Sequence, residues 1–188
     1  MISSISTNIF PSINHAPLSK HNNTNPVSTT TTHRTIVQNN MAIIDSSALV
    51  SGSLNLPGGG WMNVHVHKSE NYTEDNPVFR VSGTNDGKAF DVEVNIKNVN
   101  PNNASFIEMS ALDGYNVYKG QPSGAARSIP AAMSGLRGNY DAFSKLDFMS
   151  PLKEMMETQR FHGNLSGYYH FKNIVDSLLD HISKMNFK

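Results

Sequence analysis

The 188-residue chain contains no cysteine. That excludes disulfide staples, a thiolate zinc cluster and a cysteine nucleophile, so its core must hold by packing alone. Long apolar runs are missing as well: nothing approaches the roughly 18 consecutive residues that a membrane-spanning helix needs. Net charge is missing too, because 15 basic side chains balance 15 acidic ones. A general nucleic-acid binder would carry a basic excess, so no nucleic-acid partner is expected. There is no Walker or dinucleotide-type glycine loop, and neither Ser123-Gly124 nor Ser134-Gly135 has the G-x-S-x-G context of an activated serine. At this length one domain of ordinary size is expected.

Acids are missing from one region in particular. Residues 1–44 hold no Asp or Glu, and 20 of residues 1–40 are Ser, Thr or Asn. Apolar residues there are too sparse to offset an ordering cost of about 1–2 kcal/mol per residue, so 1–44 is expected to be a disordered, acid-free leader. It lacks the basic start, apolar middle and small-residue cleavage site of a secretory signal peptide, and Arg34 is the only arginine where a transit peptide would have several. Its composition is similar to that of uncleaved leaders that thread unfolded through an export channel. The expected location is either cytoplasmic or exported by such a non-classical leader.

What is present begins near Leu49, where the pattern takes a period of two. Met62, Val64 and Val66 alternate with Asn63, His65 and His67; Phe79 and Val81 alternate with Arg80 and Ser82; Phe90, Val92 and Val94 alternate with Asp91, Glu93 and Asn95. Asp86-Gly87 between the last two runs is a hairpin turn signal. A weaker strand over 48–56 reaches Trp61 through Pro57-Gly58-Gly59-Gly60, which reads as a turn and not as a phosphate loop. Pro101 stops the strands, and Asn102 or Asn103 is placed to cap a helix running to Tyr118, expected to lie across the Phe90/Val92/Val94 face. Residues 119–138 read as a loop or linker. In 139–188, Ser150-Pro151 is expected to open one helix that Gly163 ends, and Ser166 to cap another. The fold class expected is α+β: a small antiparallel sheet of three to four strands with one packed helix over 45–118, followed by a C-terminal helical hairpin on the same core.

Two features carry candidate function. His65 and His67 stand two apart on a strand, so both imidazoles share a face, and the alternation sends Asp91 and Glu93 to that same face. Two His and a carboxylate are the donor set of a zinc-dependent hydrolase site, provided the strands are neighbours. In a simple meander the strand bearing Arg80 would intervene. The plain alternative is a solvated polar face with no cofactor, which we prefer because no pocket or supporting shell is signalled. His162, His170 and His181 lack the i,i+4 partner of a helical zinc site and are expected at the surface. The second feature is the stripe Ile174, Leu178, Leu179, Ile182 and Met185 on the last helix. It either completes the core or docks a protein partner or a second copy.

The residues Asp75-Asn76-Pro77, Gly83-Thr84-Asn85, Gly87, Val94-Asn95-Ile96, Val99-Asn100-Pro101, Ala104-Ser105, Ile107-Glu108-Met109 and Ala111-Leu112, together with the MISSIS start, form a pattern of turn and packing positions. That pattern resembles a group of uncharacterised small bacterial proteins with Ile/Ser/Asn-rich leaders. The resemblance implies a bacterial source and brings no activity, cofactor or catalytic residue. With no catalytic motif in the chain, a non-enzymatic binding or interaction protein is expected, exported or associated with a surface or flagellum-type assembly. The alternative is the metal-dependent hydrolase centred on His65 and His67.

Overall fold

The computed structural model describes residues 47–125, 128 and 138–185. The expected leader and most of the expected linker lie outside those residues. Four strands, β1 (Val50–Asn55), β2 (Trp61–Lys68), β3 (Val78–Asn85) and β4 (Lys88–Asn95), form one antiparallel meander in sequence order. Alternation decides which face is buried. Met62, Val64 and Val66 of β2 point into the core beside Val50 and Leu54 of β1 and Val81 of β3. The expected turn joins β3 to β4, with Asp86 at φ 46° and Gly87 at φ 80°. Both are left-handed values that a two-residue hairpin of this hand requires. Residues 56–60 turn the chain between β1 and β2, held by Leu56 N–H on the Gly60 carbonyl at 2.7 Å.

After β4 a single 3-10 turn (Ile96–Asn98) leads to α1 (Phe106–Tyr118). The cap of α1 is neither Asn102 nor Asn103. Ser105 Oγ accepts from Glu108 N–H at 3.2 Å, and the Glu108 carboxylate accepts from Ser105 N–H at 2.7 Å, a reciprocal capping box. Asn100 is occupied instead with the turn before it, accepting from Asn102 N–H. Nor does α1 lie across the β4 face. It runs over β2 and β3 with β1 beside them, where Gly114 lets the helix come close to Val66. On β4, Phe90 meets Phe143 edge-on at 5.8 Å.

The C-terminal part returns to the same core. Ala104 and Leu146 exchange backbone hydrogen bonds of 3.0 and 2.8 Å, and the Phe148 ring meets Phe106 at 5.1 Å. Both phenylalanines are fully buried, each contributing about 1.5–3 kcal/mol of apolar transfer. Helix α2 (Met149–Phe161) follows, then α3 (Leu165–Met185), and the two pack as a hairpin. Gly163 turns between them at φ 70°. The capping differs from expectation at both starts. Asp147 Oδ1, not Ser150, accepts from Met149 N–H at 2.8 Å, and Pro151 falls at the third helical position, where its missing N–H still costs nothing. Asn164 Oδ1, not Ser166, accepts from Gly167 N–H at 3.1 Å.

Candidate functional site

The polar face of the sheet is built by rows of residues across the meander. One row reads Ser51, His65, Ser82, Asp91 and the next carries His67, Arg80, Glu93. His65 and His67 do share a face, and Asp91 and Glu93 share it with them. Strand β3 stands between the histidines and the carboxylates, placing them two inter-strand spacings apart, roughly 9–10 Å at backbone level. Neighbouring groups engage both sides, Ser51 from β1 and Arg80 from β3. Ser51 Oγ lies 3.0 Å from His65 Nδ1, and Arg80 Nε donates to Asp91 Oδ1 at 2.8 Å in a two-pronged ion pair. That guanidinium holds the Asp91 carboxyl below its ordinary range. Glu93 accepts from Ser69 and Asn71 of the loop between β2 and β3. Among the described residues no group of three His, Asp or Glu side chains is placed to hold a metal ion.

The stripe on α3 divides between core and surface. Ile174 and Leu178 are buried and belong to the core, together with Val175. Ile182 and Met185 are half-buried, and Leu179 is 44% exposed. The stripe is therefore not one continuous docking face: its inner residues are consumed by folding.

Further exposed apolar residues lie at the other end of the hairpin. Phe161 is 87% exposed, Leu165 62% and Tyr169 58%. Phe161 ends α2, Leu165 starts α3, and Tyr169 is one turn further along α3, so all three gather at the tip. Met155 and Met156 of α2 are half-buried further down. The charges flanking the tip are paired within the chain, Arg160 with Glu157 and Lys172 with Asp176.

A third feature is a groove of about 170 Å³ between α1, the 3-10 turn and α3. Its wall is apolar, from Pro77, Ile96, Tyr115 and Met185, and its rim carries both signs of charge. Glu74 on the rim pairs with Lys119 and accepts from the Tyr72 hydroxyl at 2.9 Å; these two partners hold its carboxyl below the usual range. Burial and the Glu74 carboxylate push the Tyr72 phenol up to about 12. Lys68 Nζ sits 4.4 Å from the Tyr72 ring centre and 4.8 Å from that of Tyr118, a cation over two aromatic faces. His181, expected at the surface, is half-buried here and donates from Nε2 to the Val99 carbonyl at 2.9 Å. Its burial lowers its pKa, assisted by Lys184.

No family model, curated protein or solved structure matches the chain.

Proposed function

We propose that the protein is a non-enzymatic bacterial interaction protein whose contact element is the tip of the C-terminal hairpin, and that the occupant of the tip is a second copy of the chain. The observation that carries this reading is the gathering of Phe161, Leu165 and Tyr169, exposed at 87%, 62% and 58%, on one end of a two-helix hairpin. Apolar side chains exposed singly need no explanation, but a cluster of two aromatics and a leucine marks a contact surface. A two-helix hairpin buries one stripe per helix at most, and pairing two hairpins makes a four-helix arrangement that buries the remainder. A two-fold contact brings like charges together, and here Arg160 and Lys172 are already neutralised by Glu157 and Asp176. Nothing in that charge distribution opposes self-association.

Sedimentation of the full chain beside Phe161→Ser and Leu165→Ser variants tests this reading. A dimer that the substitutions convert to a folded monomer supports it; a monomeric parent chain overturns it. Delivery outside the cytosol is the second part of the proposal and rests on the acid-free stretch over 1–44. Full-length chain and a chain starting at Asp45 are expressed in a bacterial host, and cytosol, envelope and medium are compared. Export of the full-length chain alone supports delivery. Retention of both in the cytosol removes it and leaves the hairpin reading standing.

A further inference from the structure

Lys97 stands apart from the other charges along the groove between α1, the 3-10 turn and α3. Glu74 is matched there by Lys119 and Asp180 by Lys184. Burial holds His181 below its ordinary pKa, so it adds no charge at neutral pH. Lys97, half-buried in the 3-10 turn, pairs with no carboxylate among the described residues. Its Nζ donates to the Asp75 carbonyl, a neutral acceptor that leaves the ammonium further N–H groups and an uncompensated charge. The groove therefore carries a single excess positive charge. A cation partly withdrawn from water is offset best by an anion, and such charge-assisted bonds are the strong ones.

The rest of the lining narrows the ligand. Asn116 and Gln121 are held side by side by Gln121 N–H on the Asn116 carbonyl at 2.8 Å, and neither carboxamide makes a hydrogen bond among the described residues. The wall of Ile96, Tyr115 and Met185 is apolar. An apolar cavity of about 150 Å³ admits a benzene ring, so a groove of about 170 Å³ admits a body the size of a leucine side chain. An apolar lining with a few placed polar groups is the usual make-up of a small-molecule site. One excess charge suits a monoanion, whereas a more highly charged anion would meet the carboxylates of Glu74 and Asp180 on the rim. We infer that this groove binds a small organic acid, its single carboxylate on Lys97 and its apolar body against Ile96, Tyr115 and Met185, with Asn116 and Gln121 supplying neutral hydrogen bonds. The site lies toward the far end of α3 from the hairpin tip and does not depend on self-association.

The probe is 4-methylpentanoate, titrated at neutral pH into full-length, nitrogen-labelled protein and followed by the side-chain NH₂ signals of Asn116 and Gln121. The inference predicts a saturable shift of those signals. The amide of the same acid, equal in shape and without charge, should bind about ten-fold or more weakly, the scale of a hydrogen bond to a charged group. Lys97→Gln keeps a donor for the Asp75 carbonyl and should abolish that preference, so that acid and amide bind alike. A lysine kept only to hold the turn would leave the preference unchanged. Met185→Ser, on the half-buried last turn of α3, shortens the apolar wall and should weaken both compounds together. N-acetyl-alanyl-leucine separates two sources of this chemistry: binding tighter than that of 4-methylpentanoate assigns a peptide C-terminus, and equal or weaker binding a free acid. Absence of a saturable shift, equal binding of acid and amide by the parent chain, an unchanged preference in Lys97→Gln, or acetate binding as tightly as 4-methylpentanoate would each overturn the inference.

Discussion

Gly114 of α1 lies so close to Val66 of β2 that a Cβ built on it would stand 2.4 Å from Val66 Cγ1. This contact seats the helix over the middle of the sheet. A mid-helix glycine costs about 1 kcal/mol of helix propensity relative to alanine, so it persists here because the backbones must approach.

Gly114→Ala should therefore destabilise the domain despite its better helix propensity. Overpacking of this kind costs about 1–3 kcal/mol. Urea unfolding followed by circular dichroism reads the difference, and a stabilised variant would contradict the packing account.

Leu178 and Leu179 are adjacent in sequence and opposite in circumstance, the first 1% and the second 44% exposed. Leu178→Asp buries an unpaired carboxylate and should unfold the domain, at a cost above about 4 kcal/mol. Leu179→Asp should stay within about 0.5 kcal/mol of the parent. Thermal melts of the two single variants separate core from surface.

Ser105→Ala should cost about 1 kcal/mol, because it removes one half of the capping box at the start of α1. Glu108, the other half, also pairs with Lys145. Glu108→Gln retains a capping side chain and should cost less than Ser105→Ala in the same urea assay.

His181 makes stability depend on pH. Its folded-state pKa lies below the ordinary 6.5, first through burial, with Lys184 acting the same way and Asp180 and the Val99 carbonyl opposing. Between the folded and unfolded values the unfolded chain holds more protons, so stability rises with pH there. Stability should fall as pH drops through about 6.5 and level off once the folded protein also takes the proton. His181→Gln keeps a donor for the Val99 carbonyl and should remove this part of the slope; an unchanged slope would assign it elsewhere.

Much of the fold was legible because local chemistry agreed with the tertiary outcome. Asp86-Gly87 announced the hairpin since few residues accept positive φ, and the alternation from Met62 to Val66 placed the core face directly. Caps are hard to read where several short polar residues compete. Asn102 and Asn103 looked suitable, but Ser105 has a glutamate three residues on, which completes a box; Asp147 likewise outcompetes Ser150 for the first N–H groups of α2. The position of α1 was not legible, because it depends on which strand Gly114 meets. The shared face of His65, His67, Asp91 and Glu93 followed from periodicity alone, whereas the separation of its two halves follows from strand order. The groove was invisible in sequence, since Pro77, Ile96, Asn116 and His181 come together only through the docking of α3.

The absence of cysteine makes one measurement direct. In Leu165→Cys the new thiol stands at the hairpin tip, and in Lys88→Cys it stands at the exposed start of β4. Mild oxidation of each full-length variant, read on a non-reducing gel, tests whether the tip is where two copies meet. The account predicts rapid, nearly complete covalent dimer for Leu165→Cys and little for Lys88→Cys. Equal, slow cross-linking of the two would contradict it.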